Sequence, residues 1–121
     1  MTLIKLDMDF TVCKIQDLTD IDFSRDFVFL SKTDEEISLV CESQFAPKNM
    51  VAIETDWKAL KINGILDFAM TGVIAKIANI LASAEISVFV VSTYNTDYIF
   101  LKSRNFEKSV SLLENNGYII N

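Results

Sequence analysis

The stretch Asp67–Asp97, with the sequence DFAMTGVIAKIANILASAEISVFVVSTYNTD, decides how this chain of 121 residues folds. A short apolar segment comes first, followed by a run in which apolar residues recur every three to four positions. That spacing predicts an amphipathic helix with one buried stripe. The stripe consists of Val73, Ile74, Ile77, Ile80, Leu81 and Ala84.

The ends of this helix predict what lies on either side of it. Thr71 is placed to cap the first turn with its hydroxyl, and Gly72 opens that turn. Beyond the helix, Ile86–Thr93 has the pattern of a strand and Asp97–Ser103 that of its antiparallel partner. The polar residues 94–96 between them suit a short turn. The sequence therefore predicts a helix followed by a β-hairpin.

Further elements on both sides complete a recognisable order. Trp57–Ile62 is a strand candidate before the helix, and a second helix is expected from about Asn105 to Asn116. Gly117 supplies its stop, and residues 118–120 suffice for a final edge strand. The order βαββαβ predicts an α+β, ferredoxin-like fold, in which an antiparallel four-stranded sheet carries both helices on one face.

The central strand of that sheet is apolar on both faces. Ile86, Val88 and Val90 point one way, whereas Phe89 and Val91 point the other. A sheet covered by helices on one face alone should carry polar residues on the other. The second face therefore needs a cover, and the candidates are the N-terminal half, a second subunit, or both.

The N-terminal half is predicted to be rich in strands. Leu3–Leu6 and Thr11–Ile15 are short strand candidates, separated by a turn that contains aspartate. Phe27–Lys32 and Ile37–Cys41 flank the polar residues 33–36, a pattern typical of a β-hairpin. No long helix is expected before residue 70.

Composition excludes several classes of partner. The formal charge is −6 and no basic stripe is present, so a nucleic acid is not expected to bind. The longest apolar region, Val73–Val91, is interrupted by charged and polar residues and is not expected to span a membrane. The acidic N-terminus does not resemble a signal peptide. Cys13 and Cys41 are expected to be buried thiols, and the protein is expected to be cytoplasmic.

The chain contains no histidine, which removes the commonest general base and the commonest metal ligand. The aspartates between Asp17 and Asp26 lack the spacing of a calcium loop, so a solvated turn is the expected structure. No catalytic residue, metal or cofactor is predicted.

Residues 72–77, GVIAKI, and residues 86–99, ISVFVVSTYNTDYI, resemble the ACT domain. The resemblance is narrower to small bacterial tandem-ACT proteins similar to the ACT regulatory pair of aspartate kinases. It rests on I-S-V-F-x-x-S-T-x-x-T-D-Y after the helix and on L-D-F-x-x-x-G before it. It implies an ACT-like, β-rich half over residues 1–55 and an ACT domain over residues 56–121. It also implies a regulatory module that binds an amino acid between two ACT units, in a homodimer or with a partner protein.

The two polar ends of the opening stretch supply groups suited to such a ligand. The first turn after Gly72 offers unpaired backbone N–H groups and the positive end of the helix dipole to a carboxylate. Asp97, with Asn95 and Thr96 beside it, offers oxygen atoms to an ammonium group, and Asp67 is the alternative anion. The candidate ligand-binding residues are Asp67, Phe68, Ala69, Met70, Thr71, Gly72, Val73, Ile74, Asn95, Thr96 and Asp97.

Purely structural roles compete with these assignments. Gly72 could serve only as a helix start, Asp97 only as a turn residue, and Met70 with Phe68 as part of a dimer interface. The leading hypothesis is a non-catalytic amino-acid-binding regulatory domain. The alternative is an interaction module that kept the fold without a ligand. An enzyme is the least favoured, because no base, nucleophile and orienting group form a set.

Overall fold

The computed structural model describes residues 1–67 and 69–121. The chain divides into two compact units. The larger unit contains Met1–Asp7 and Lys58–Asn121, and the smaller unit contains Met8–Trp57. Residues 1–7 therefore group with the C-terminal part of the chain rather than with residues 8–55.

Seven strands and two α-helices make up the described chain. Two short 3-10 turns, Ser43–Phe45 and Ser103–Asn105, precede β4 and α2. The elements are β1 (Thr2–Ile15), β2 (Val28–Lys32), β3 (Ile37–Glu42), β4 (Met50–Ile62), α1 (Val73–Ala82), β5 (Val88–Ser92), β6 (Asp97–Lys102), α2 (Phe106–Asn115) and β7 (Ile119–Ile120).

The larger unit confirms the predicted α+β, ferredoxin-like order β4-α1-β5-β6-α2-β7. Its core contains apolar residues from both helices and from the sheet, including Leu81, Leu113, Leu60 and Ile99, all completely buried. Because one core joins both helices to the sheet, the helices cover the same face. Burial of these side chains contributes about 1.5–3 kcal/mol each to folding.

The sheet of the larger unit differs from the predicted sheet of four antiparallel strands. Its strands follow the order β5-β6-β4-β1, and β7 pairs with β1. The β1–β7 pairing is parallel and matches Thr2 with Ile119 and Leu3 with Ile120. The prediction missed this arrangement, since the sequence pattern of β1 does not indicate which later strand it will meet.

Strand β1 also corrects the prediction of two short strands with a turn between them. It runs unbroken through fourteen residues, and Asp7 and Asp9 occupy exposed positions that alternate with the half-buried Leu6 and Met8. In a strand, successive side chains point to opposite faces, so two aspartates two positions apart share the wet face. Charge alone therefore did not signal a turn.

The start of α1 also differs from the prediction. Gly72, and not Thr71, occupies the N-cap position, and its φ of 75° is left-handed. No side chain in the described parts of the chain hydrogen-bonds to the helix end. Because glycine lacks a Cβ, it adopts this conformation without steric cost. The helix start is therefore set by the backbone of Gly72 rather than by a hydroxyl cap.

The stop predicted for α2 at Gly117 is confirmed. Gly117 has a φ of 93°. Its N–H donates to the Glu114 carbonyl at 3.1 Å, and the Tyr118 N–H donates to the Leu113 carbonyl at 3.1 Å. This pair of bonds is the Schellman pattern that ends a helix and redirects the chain. It turns Tyr118 back onto the core of the larger unit.

The strand β5 is apolar on both faces, as predicted. Val88 and Val90 pack against the core of the larger unit. On the opposite face, Phe89 stacks on Phe100 with ring centroids 4.6 Å apart and planes inclined by 2°. Phe100 is completely buried, so the second face of the sheet is covered at this position.

The smaller unit contains the predicted hairpin, in which β2 and β3 pair antiparallel from Val28–Cys41 to Lys32–Ile37. Cys13 and Cys41 are free, buried thiols in its core. Burial, with smaller contributions from Cys13 and Glu42, raises the pKa of Cys41 to about 11. These cysteines therefore remain protonated at neutral pH and serve as apolar core residues.

The aspartates at 17 and 22 shape the loop before β2. Asp17 accepts hydrogen bonds from the hydroxyl and the N–H of Thr19, and Asp22 accepts them from the hydroxyl and the N–H of Ser24. These bonds favour the charged carboxylates and lower the pKa of both aspartates. The carboxylates act as turn caps in this loop.

Candidate ligand-binding site

A cavity of about 310 Å³ opens in the larger unit between the start of α1 and the turn that joins β5 to β6. This size lies at the lower end of the range for small-molecule sites. Its wall consists of Leu66, Asp67, Met70, Gly72, Val73, Ile74, Ala75, Ser92, Thr93, Tyr94, Asn95, Thr96 and Asp97.

The structure brings most of the predicted site residues together in this wall. Ala69 does not line the cavity, Thr71 lines a neighbouring one, and Phe68 lies outside the described residues. Ser92, Thr93 and Tyr94 were not predicted, although they precede Asn95 in the quoted strand-and-turn pattern. The eight predicted residues in the wall are Asp67, Met70, Gly72, Val73, Ile74, Asn95, Thr96 and Asp97.

The first turn of α1 presents backbone donors to the cavity. The first α-helical hydrogen bond runs from the Lys76 N–H to the Gly72 carbonyl at 3.0 Å. The N–H groups of Val73, Ile74 and Ala75 therefore have no partner within the helix. No side chain of the described residues caps them, and all three residues line the cavity. The positive end of the helix dipole thus faces the same space.

Asp67 organises the loop that leads into the helix. One carboxylate oxygen accepts the Ala69 N–H at 2.8 Å, and its carbonyl accepts the Met70 N–H at 3.0 Å. The Leu66 N–H donates to the Asn95 carbonyl at 2.7 Å, which ties this loop to the β5–β6 turn. The two sides of the cavity are therefore joined by a direct backbone bond.

The β5–β6 turn is held by its threonines. The N–H and the hydroxyl of Thr93 both donate to the Thr96 carbonyl, at 2.9 and 3.0 Å. The Thr96 hydroxyl donates to the Ile62 carbonyl at 2.8 Å, and the Thr96 side chain is only 3% exposed. The donor capacity of Thr96 is thus used to fix the turn to the end of β4, and it is not free for a ligand.

Asp97 stands at the point where the turn enters β6. It pairs with Ser92 across the hairpin and is half-buried. Within residues 1–67 and 69–121, its carboxylate has neither a hydrogen-bond donor nor an ion-pair partner. The described residues of the wall include two carboxylates, at Asp67 and Asp97, and no lysine or arginine. A cationic group is therefore favoured at the Asp97 side, opposite the donors of the helix.

The smaller unit repeats the hairpin without the helix. Lys32 pairs with Ile37 as Ser92 pairs with Asp97, and every pair in the two hairpins is offset by sixty positions. The chain between β1 and β2, all of it described, contains no helix. The smaller unit therefore has no helix start that could offer N–H donors at this place. It also lacks the equivalent carboxylate, because Ile37 occupies the position that corresponds to Asp97.

The larger unit is thus a small α+β domain with a cavity at the start of α1 that is a candidate site for a small molecule. The family profile described as the ACT domain matches residues 52–115. The chain therefore belongs to the ACT-domain family, and it is a regulatory domain of the ligand-binding kind. Among proteins with curated descriptions, none matches this chain.

Solved structures of the same fold include an aspartate kinase and the regulatory subunit of another aspartate kinase. Protein Atu0741 from Agrobacterium tumefaciens is 27% identical, with a TM-score of 0.87 over 99% of this chain and 91% of its own. The ligand-free regulatory subunit of aspartate kinase from Thermus thermophilus is 10% identical, with a TM-score of 0.63 over 93% of this chain and 95% of its own. The aspartate kinase of Clostridium acetobutylicum is 16% identical, with a TM-score of 0.62 over 89% of this chain and 32% of its own.

None of the helices in the described parts of the chain combines the length and the apolar character needed to cross a membrane.

Replacing Gly72 by alanine is expected to lower the free energy of unfolding by about 1–2 kcal/mol, the cost of a left-handed non-glycine residue. An added methyl group would meet no heavy atom within 4 Å, so the loss comes from the backbone and not from a clash. Gly64→Ala is the matched control, because Gly64 has a φ of 88°, equally open surroundings and no place in the cavity wall. Urea denaturation should give similar losses for both variants. A much larger loss for Gly72→Ala would contradict the open space at that position.

Proposed function

We propose that this chain is a non-catalytic regulatory domain that binds a free amino acid in the cavity between α1 and the β5–β6 turn. The observation that carries the proposal is the pairing of opposite charges across one cavity. Uncapped N–H groups at the start of α1 lie on one side, and the unpartnered carboxylate of Asp97 lies on the other. A zwitterionic amino acid complements both ends.

The two ends of the ligand have separate partners in this arrangement. The α-carboxylate accepts hydrogen bonds from the N–H groups of Val73, Ile74 and Ala75, strengthened by the helix dipole. The α-ammonium group binds Asp97, and the side-chain amide oxygen of Asn95 is a further acceptor. Asp67 keeps one oxygen in the turn with Ala69 and shapes the entrance to the site.

The same wall offers little for catalysis. It contains no histidine, and the Thr93 hydroxyl already donates to the Thr96 carbonyl. The two cysteines are buried in the smaller unit, where burial raises the pKa of each thiol. Without an activating base, the hydroxyls of Ser92 and Thr93 remain hydrogen-bonding groups.

The chain is proposed to carry one amino-acid site and to act as a homodimer. The ACT-like N-terminal half repeats the hairpin but lacks the helix and the carboxylate, which supports a single site per chain. Met70, at the edge of the cavity, is 49% exposed, and a second copy would bury it. Sedimentation equilibrium measures this assembly, and a monomer at all concentrations would contradict it.

A thermal-shift screen against the twenty amino acids should identify at least one that raises the melting temperature. A ligand at about one hundred times its Kd stabilises the folded state by roughly 2.7 kcal/mol, equivalent to several degrees or more. Asp97→Asn should abolish that shift and leave the melting temperature of the free protein within a few degrees. In the unmodified protein, calorimetric titration with the same amino acid should give one site per chain.

Asp34→Asn is the matched control, since Asp34 lies in the turn of the equivalent hairpin of the smaller unit. It should leave the ligand-induced shift intact. The proposal fails if no amino acid at millimolar concentration changes the melting temperature. If Asp97→Asn unfolds the free protein, Asp97 is a structural residue and the assignment of the ammonium partner is wrong.

A further inference from the structure

A second cavity, of about 250 Å³, adjoins the first at the start of α1. Gly72 and Val73 line both cavities, so the two spaces meet at these residues. Gly72 has no side chain, and the space above its Cα is open. The other residues that line the second cavity are Met1, Thr71, Lys76, Asn116, Gly117 and Tyr118.

Tyr118 gives this cavity an unused hydrogen-bonding group. Its side chain is only 9% exposed and belongs to the core of the larger unit. Its hydroxyl forms no hydrogen bond within residues 1–67 and 69–121. The hydroxyl is accessible from the cavity and has no acceptor in the described chain, so it can donate a hydrogen bond to a ligand there. Burial also raises the pKa of Tyr118, so the hydroxyl keeps its proton and remains a donor at neutral pH.

Lys76 adds a positive charge to the same wall. It lies one helical turn after Gly72 and is exposed. It forms no ion pair with any residue in the described part of the chain, and it is the only charged side chain that lines the second cavity. The Asn116 amide is not available in the same way, because it already donates to the Leu112 carbonyl at 2.8 Å.

We infer that the second cavity is the side-chain subsite of the amino-acid site and takes a carboxylate, so that the ligand is an acidic amino acid. The inference rests on the proposed function. The α-carboxylate and the ammonium group occupy the first cavity, and the side chain passes over Gly72. Its terminal carboxylate accepts hydrogen bonds from the Tyr118 hydroxyl and the Lys76 ammonium group.

The charge distribution of the two cavities supports this order. Among the described residues, the first cavity is lined by two carboxylates and by no cationic side chain, whereas the second is lined by one cationic side chain and by no carboxylate. A ligand with its ammonium group near Asp97 and its second carboxylate near Lys76 meets an opposite charge at both places. Hydrogen bonds that involve a charged partner are about twice as strong as neutral ones, so both contacts should contribute strongly to specificity.

The test compares L-glutamate with L-norvaline, whose side chain has similar length but no carboxylate. In the unmodified protein, calorimetric titration should show glutamate binding about 10-fold or more tightly than norvaline. Tyr118→Phe removes one oxygen and keeps the ring, and Lys76→Gln changes an exposed residue that cannot disturb the core. Each should weaken glutamate binding about 10-fold and leave norvaline binding unchanged.

Tyr98→Phe and Lys108→Gln are the matched controls, because neither residue lines either cavity. Both should retain the preference for glutamate. The inference is overturned if glutamate and norvaline bind equally, if the variants weaken both ligands alike, or if lysine binds most tightly. In those outcomes the amino-acid site itself stands. If no amino acid binds, the proposed function fails, and the subsite fails with it.

Discussion

Phe100→Ala is expected to lower the free energy of unfolding by about 3–5 kcal/mol, the range for removing a buried aromatic side chain. Phe100 is completely buried, and its ring stacks on Phe89 with centroids 4.6 Å apart. The substitution removes apolar contact area and leaves a cavity that the stiff, hydrogen-bonded strands around it cannot close. Aromatic stacking adds about 0.5–1.5 kcal/mol to the loss.

Phe89→Ala is the control for this prediction. Phe89 lies opposite Phe100 in the hairpin register and takes part in the same stack, but it is only half-buried. Its removal should therefore cost less than the removal of Phe100. Urea denaturation followed by circular dichroism measures both changes. Equal losses for the two variants would show that Phe100 is less enclosed than its complete burial indicates.

Leu81→Ala is expected to cost about 2–5 kcal/mol, the range for truncating a buried leucine. Leu81 is completely buried in the core of the larger unit and lies in the last turn of α1. Its carbonyl also accepts the Ile86 N–H at 3.0 Å, where the helix ends. This side chain therefore fixes the position of the helix whose first turn forms the candidate site.

The same substitution should also weaken amino-acid binding, since a helix that is less firmly packed holds its N–H groups less rigidly. Ile80→Ala is the control, because Ile80 neighbours Leu81 in the helix but is only half-buried. It should cost less in stability. A loss below about 1 kcal/mol for Leu81→Ala would be well under the usual cost of such a cavity. That result would show that the packing of α1 is not what stabilises the larger unit.

Local signals in the sequence were sufficient for the elements around the site. The spacing of Ile77 and Leu81 predicted α1, and both are buried in the structure. The polar residues after Ser92 predicted the turn, and Gly117 predicted the end of α2. Each of these features depends on residues a few positions apart. For that reason, eight residues of the candidate site could be named before the cavity was known.

The start of α1 shows where a local signal was ambiguous. Threonine is a common helix cap, so Thr71 was the natural choice from the sequence. The left-handed φ of Gly72 places the helix start one residue later and leaves the first turn uncapped. An uncapped helix end leaves its backbone N–H groups available to a ligand. The order of residue types does not show whether a helix end is capped.

By itself, then, the sequence determined the helices, the hairpins and which positions of each element are apolar or polar. The period of the apolar residues indicates which side of an element is buried. Only the tertiary structure decided which elements became neighbours. Strand β7 pairs with β1 at the opposite end of the chain, and the Thr96 hydroxyl reaches a carbonyl 34 residues away. Tyr118 and Lys76 likewise meet at one cavity because two helix ends come together there. Such meetings depend on the packing of whole elements, and no residue spacing specifies them.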